Sequence, residues 1–291
     1  MNKQSIKRLL KNILQWLLIV VIAIVLAVAL RVFVFAKFTI PTPSMEPAII
    51  AGDRVLVSKL TPGPRIITNF FSLRNGEKPV IKRLSGFDVK RNDILVFNFP
   101  YSDWNRLDMD MSVFYAKRCV AIPGDTFYIE NGFYKVKNAI DTLGCYKNQQ
   151  QLSETQDSKF QSNIYDCFPF DAHYSWNVKD FGPLYVPRAN ETLAIDTLNA
   201  VLYRKLIEYE TERNVYVKDG QVLLGDSAIA NYTFTRNYYF MTGDYVFDSQ
   251  DSRYWGLLPE DHIVGKVAFM LNNENPHTKK VSWKRFLKKA K

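Results

Sequence analysis

The stretch FYAKRCVAIPGD, residues 114–125, decides how this chain folds. Aromatic, β-branched and small apolar residues fill it up to a Pro-Gly-Asp turn, so it reads as a strand that stops at that turn. Lys117 is set inside it, with Tyr115 two positions earlier and therefore on the same face. Working outward, RNDILVFNFP (91–100) predicts a second strand, and DRVLVSKL (53–60) a third, carried by Val55, Val57 and Ser58. GDTFYIENGFYKVKN (124–138) and VYVKDGQVLLGDSAI (215–229) each predict strand, polar turn, strand. Strands resume in YTFTRNYYFMTGDYVF (232–247), and 16 Tyr and 20 Phe beside frequent Val and Ile lean the composition the same way. The expected fold class is mainly β. In TLNAVLYRKLIEYETER (197–213) the apolar residues recur near helical spacing, which predicts one soluble helix. YKNQQQLSETQDSKFQSN (146–163) is polar and lacks a clear period, so it is expected to be a surface insertion without regular structure. TPGPRIITNFFSLRNGEKP (61–79), rich in Pro, Gly and Asn, reads as a loop.

Ahead of these strands lies NILQWLLIVVIAIVLAVAL, residues 12–30, without a charge. As a helix it extends about 28 Å, close to the hydrocarbon thickness of a bilayer. A removable secretory signal has a shorter apolar core, about 7–15 residues. The apolar character also resumes after Arg31 as VFVFA, which favours a retained anchor over residues 12–36. Lys3, Lys7, Arg8 and Lys11 precede it, so the N-terminus is expected in the cytoplasm and the rest of the chain outside.

The net charge of +9 is carried by the ends. Of 38 Lys and Arg, four lie in the first eleven residues and seven in TKKVSWKRFLKKAK (278–291), which leaves 27 against 29 acidic residues in between. Terminal basic clusters beside an apolar segment suit anionic lipid head groups, not a nucleic-acid groove. In the tail, Trp283, Phe286 and Leu287 stand at helical spacing among lysines, which predicts a segment lying on the membrane surface, with a solvated tail as the alternative. Cys119, Cys145 and Cys167 lack C-x-x-C spacing and His173, His262 and His277 are scattered, so neither a metal site nor another cofactor is expected. Cys145 and Cys167 are read equally as a disulfide or as two thiols.

The chemistry turns on IPTPSMEPAI, residues 40–49, where Ser44 sits in a proline-framed segment just after the anchor. A serine hydroxyl is a weak nucleophile until a base takes its proton. None of the histidines lies in a segment with other signs of a site, and the other base available is a lysine kept neutral by apolar burial, which Lys117 fits. Taken singly, the plain readings are a turn serine and a solvated Lys-Arg pair.

Their joint order says more. Pro-x-Pro-Ser-Met-x-Pro after an anchor, then Lys-Arg-x-x-x-x-Pro-Gly-Asp, then GDYVFDSQDSRYWGLLPEDHIVGK (243–266) resembles the bacterial type I signal peptidases, membrane-anchored serine/lysine proteases. The resemblance covers the anchor and residues 38–60, 91–125 and 240–268. It implies Ser44 as nucleophile and Lys117 as general base. It implies the Thr42 hydroxyl and the Ser44 N–H as oxyanion donors, and Ser249 as the serine that orients the lysine. Tyr115, Asp251 and Arg253 match supporting positions. Tyr245 stands where the family has Asn, and Pro43 where Gly or Ser is frequent.

The reading is a signal-peptidase-type β catalytic domain with an inserted α+β lobe, preceded by one transmembrane helix. Its expected parts are a basic N-terminus (1–11), the anchor (12–36), catalytic β structure (38–129 and 236–272), the lobe (130–235) and a basic tail (273–291). The expected activity is that of a serine endopeptidase, a monomer at the bacterial inner membrane, which removes signal peptides from exported preproteins. Two rivals are a self-cleaving Ser/Lys repressor-type protease, opposed by the anchor, and a non-enzymatic anchored β-domain that binds a surface partner.

Overall fold

The computed structural model describes residues 3–69, 79–86 and 88–290. Of the expected loop 61–79, residues 70–78 lie outside the described residues; within it, Arg65–Ile67 pairs with Ile81–Arg83 as a short antiparallel ribbon.

Seven strands make one antiparallel sheet in the order Phe35–Thr39, Asp53–Ser58, Ile263–Glu274, Ile94–Phe99, Asp110–Ala121, Tyr238–Thr242 and Leu258–Pro259, and Val281–Ser282 pairs with the far end of Ile263–Glu274. The three strands read from sequence at 53–60, 91–100 and 114–125 are all in it. Ile263–Glu274 slips register between Val267 and Phe269 and between Met270 and Asn272. Such bulges bend a strand and tighten its twist, which lets the sheet curl. Ile94–Phe99 is consequently buried at every position. Leu95, Phe97 and Phe99 enter a large core shared with the later elements, while Ile94 and Val96 on the opposite face enter a smaller core with Ile40, Met45, Ala48 and Ile49.

The chain leaves this sheet after Ala121 and returns at Tyr238. Both hairpins form in between: Thr126–Glu130 with Phe133–Val136, and Val215–Lys218 with Gln221–Leu224, the second extended by Ser227–Ile229. Their turns are Asn131-Gly132 and Asp219-Gly220, with positive φ at all four residues, the geometry that matches strand twist in a two-residue hairpin. Ala200–Thr211 is the expected helix and buries Ala200, Leu202, Tyr203, Leu206 and Ile207.

Two expectations are corrected. The polar segment 146–163 is not structureless: Tyr146–Glu154 is a helix that buries Gln149 and Leu152. Gln149 accepts from the Tyr134 N–H at 2.9 Å and donates to the Leu143 carbonyl at 2.6 Å, so an amide does the docking that apolar periodicity would have revealed. The tail does not form a helix either. After Val281–Ser282 it turns, with Leu287 in the left-handed region at φ 56°, and Leu287 N and Lys288 O bond Met270 at 2.9 Å each. Trp283, Phe286 and Leu287 stay exposed.

The N-terminal helix Lys3–Ala29 passes through a π-helical turn, Leu30–Val34, into the first strand at Phe35, inside the segment expected as anchor. The helical span Lys11–Val34 contains an 18-residue window of mean hydropathy 3.2, none of it buried against the protein. This is about 36 Å of unpartnered apolar helix, enough to cross a bilayer. Lys59 Nζ donates to the Arg31 and Val32 carbonyls at 2.9 Å each, covering acceptors that a helix end leaves open.

Candidate active site

Ser44 follows the strand Phe35–Thr39 in a tight turn fixed by Glu46 N to Pro43 O (2.8 Å) and Ile49 N to Met45 O (2.9 Å). Met45 and Ile49 are fully buried in the smaller core, so the turn is nailed down directly behind the hydroxyl. Lys117 lies in Asp110–Ala121, opposite Leu95 of the neighbouring strand. Its Nζ donates to Ser44 Oγ at 2.5 Å. Ser44 and Lys117 are only 7% and 4% exposed, so Lys117 is not the solvated residue of the plain reading, and the turn serine is a buried one.

Burial lowers the Lys117 pKa to about 8, with Asp251 opposing the shift and Arg253 reinforcing it. An ammonium deprived of water favours its neutral form, which is the form able to accept a proton. The Tyr115 ring centroid lies 5.6 Å from Nζ. Thr42 Oγ1 lies 3.5 Å from Ser44 Oγ. Ser249 lines the same cavity, and its hydroxyl donates to Asp251 Oδ2 at 2.7 Å. Asp251 also accepts from Gly243 N at 2.9 Å and from Arg253 Nε and Nη2 at 2.8 Å each. Burial pushes the Asp251 carboxyl up, but the charge and hydrogen bonds of Arg253 overcome it and hold the group below its ordinary value. The residues proposed from sequence are thus brought to one place, or one side chain away from it, but the Ser249 hydroxyl goes to Asp251, and no hydrogen bond from it to Lys117 is present among the described residues.

Sequence reasoning missed four others. Arg118, next to the lysine, is buried and clasps Asp244 with two hydrogen bonds of 2.6 Å. Tyr245 N then donates to Ser44 O at 3.1 Å, tying this segment to the nucleophile. Gly243 has no room for a side chain: an added Cβ would stand 2.1 Å from Ser249 Oγ and 2.6 Å from Ser44 O. Asn148, on the unexpected helix, donates to Asp244 O at 2.7 Å and Glu46 O at 3.2 Å. The Gly-Asp that opens the last motif was the available signal for the pair; nothing local marked Asn148.

His173 is exposed beside Asp171, and His262 is fully buried with its pKa pushed down to about 4 by that burial. Cys119, Cys145 and Cys167 are all free thiols, which closes the disulfide reading.

The cavity around Ser44 and Lys117 has a volume of about 990 Å³. One wall is the strand Phe35–Thr39, paired on one side only, and the other is the first half of Asp110–Ala121, which meets Tyr238–Thr242 only from Arg118 onward. Phe38 and Phe114 face each other across it at 5.1 Å.

Residues 13–272 match the family model described as signal peptidase, peptidase S26. Among curated relatives, the chain is 28% identical over 242 residues to signal peptidase I of Buchnera aphidicola subsp. Acyrthosiphon pisum, covering 82% of this chain and 68% of that protein. It is 26% identical over 244 residues to signal peptidase I of Aquifex aeolicus, covering 83% and 77%, and 26% identical over 246 residues to that of Helicobacter pylori, covering 82% and 75%. A buried serine–lysine pair on a β scaffold behind an apolar helix, and a family match over almost the whole chain, lead to one conclusion: this protein belongs to the signal peptidase family, peptidase S26.

Proposed function

We propose that Ser44 is the nucleophile and Lys117 the general base of a membrane-anchored endopeptidase that cuts signal peptides from exported preproteins. The observation that carries this reading is the 2.5 Å contact between a buried amine and a buried hydroxyl at the floor of an open cleft. The preprotein docks as an added strand between the unpaired edges of Phe35–Thr39 and Asp110–Ala121, where main-chain groups await partners. The likeness to the signal peptidases implies small side chains at the first and third positions before the cut.

Neutral Lys117 takes the Ser44 proton as Oγ attacks the scissile carbonyl carbon. The oxyanion receives hydrogen bonds from the Ser44 N–H and the Thr42 hydroxyl, held in place by Pro41, Pro43 and Pro47. The Lys117 ammonium then protonates the departing amine, and the mature chain leaves. Water, deprotonated by the same lysine, hydrolyses the acyl ester and restores Ser44. Ser249 keeps the amine in position, with Asp251 and Arg253 as its frame.

The basic residues before the span favour an N-terminus on the cytoplasmic side of the bacterial inner membrane and a cleft on the outer side, where signal peptides emerge. Lipid is a second partner, met by the anchor and by the exposed tail aromatics. Purified full-length protein is expected to release a mature chain whose N-terminal sequence begins after the signal peptide, and Ser44→Ala to release none. Cleavage by Ser44→Ala at the wild-type rate overturns the reading.

A further inference from the structure

The backbone of Ser44 is held from both sides, and the two holds meet at one side chain. Glu46 N donates at 2.8 Å to the Pro43 carbonyl. That carbonyl shares a peptide plane with the Ser44 N–H, so the bond fixes where the N–H points. On the other side, Tyr245 N donates at 3.1 Å to the Ser44 carbonyl. Asn148 grips both donors from behind: its Nδ2 donates to the Glu46 carbonyl at 3.2 Å and to the Asp244 carbonyl at 2.7 Å. The Asp244 carbonyl lies in the same peptide plane as the Tyr245 N–H. Both partners of Asn148 are acceptors, so the NH₂ end of the amide must face them, with one hydrogen for each.

Asn148 is itself well supported. It stands in the first turn of Tyr146–Glu154, whose Gln149 and Leu152 are buried. Asn92 pins the segment that leads into this helix, accepting from Gly144 N at 2.9 Å and donating to the Thr142 carbonyl at 2.8 Å. The Asn92 carbonyl in turn accepts from Arg118, the neighbour of the lysine, at 2.9 Å. Groups locked in this way by packing and hydrogen bonds can hold a site to the tolerance that catalysis needs. The helix lies between Ala121 and Tyr238, outside the motifs that carry Ser44, Lys117 and Ser249.

We propose that Asn148 is a positioning residue for the nucleophile turn, holding the Pro43–Ser44 peptide so that the Ser44 N–H is aimed at the oxyanion as it forms. The amide acts through Ser44 and bonds neither Lys117 nor Ser249. An N–H aimed at an oxyanion counts for more in the transition state than in the bound substrate, so loosening it falls on kcat and leaves KM in place. This inference rests on the reading of Ser44 as nucleophile and of its N–H as an oxyanion donor.

The test compares wild type, Asn148→Ala and Asn148→Asp as full-length enzymes in lipid vesicles, with cleavage of one preprotein followed across pH 6 to 9 and thermal midpoints measured alongside. Asn148→Asp keeps the size of the side chain and places a negative charge where the helix dipole favours it, yet its carboxylate has no hydrogen for the two carbonyls. A residue that only supported the helix would be replaced well by Asp, and a positioning amide would not. Losing a whole oxyanion donor costs about 10²–10³ in kcat, so loosening one is expected to cost about tenfold in Asn148→Ala and at least as much in Asn148→Asp, with KM within about twofold of wild type. The pH midpoint is expected to stay at its wild-type value, because the amine is untouched. A kcat within about twofold of wild type in either variant, a loss carried by KM, or a pH midpoint that moves overturns the proposal while leaving the dyad standing. Equal cleavage by wild type and Ser44→Ala overturns the catalytic reading beneath it.

Discussion

Ser249 donates its hydroxyl to Asp251 at 2.7 Å, and Asp251 is itself held by Arg253, both members of that pair being fully buried. The serine therefore stands on an ion pair sealed from water. Removing one partner from such a pair leaves an uncompensated charge and costs about 3–5 kcal/mol. Asp251→Ala and Arg253→Met are expected to lower the thermal midpoint sharply, together with activity. Ser249→Ala is expected to melt near wild type and lose part of its rate. Equal melting of all three variants would contradict the arrangement.

Lys117 works as a base only when neutral. Its pKa is depressed by burial to about 8, so the rate is expected to climb as pH rises through about 8 and to fall about tenfold per unit well below it. Lys117→Met removes the amine and Lys117→Arg leaves a permanent cation, so both are expected to be inactive and folded. His173→Ala and His277→Ala are expected to keep the wild-type pH profile. His262→Ala, which empties a buried site, is expected to lose stability without moving that profile. A pH profile in wild type that is flat between 6 and 9, where about nine-tenths of the change should fall, would show that another group is the base.

Gly243→Ala introduces a methyl where Ser249 Oγ and Ser44 O already stand. Neither can retreat without shifting the nucleophile or the Ser249 contact to Asp251. We expect a loss of kcat of about tenfold or more, since small misplacements of catalytic groups are costly. An unchanged kcat, measured on the purified variant, would show that the site gives way without consequence.

The tail docks by its backbone and by Arg285, which bonds the Ala48 carbonyl behind the nucleophile turn, while Trp283 and Phe286 face outward with ring centroids 5.6 Å apart. Trp283→Ala with Phe286→Ala is expected to weaken binding of the protein's catalytic part to anionic vesicles several-fold without changing its melting. Deleting residues 279–291 also removes Arg285, so it is expected to lower stability as well. Vesicle binding unaffected by the double substitution would remove the tail from the membrane contact.

Local patterns carried much of this protein in its sequence. The anchor follows from uninterrupted apolar length, the hairpins from Asn-Gly and Asp-Gly between alternating residues, and the Ala200–Thr211 helix from its spacing, because each depends on neighbours within a few positions. Ser44 and Lys117 were legible as candidates through motif order. Their 2.5 Å contact, across 73 residues of chain, exists only because the curled sheet sets the strand of the lysine beside the turn after the first strand. The same holds for Arg118 and Asp244, 126 residues apart, whose burial no local pattern announces. Tyr146–Glu154 escaped detection because its docking relies on the hydrogen bonds of Gln149 to two distant backbone groups, and a polar residue buried by partners elsewhere in the chain has no hydrophobic period to display. The tail misled in the opposite sense: its helical spacing was real in the sequence, but pairing with Met270 on the sheet supplied backbone partners that an isolated surface helix could not match.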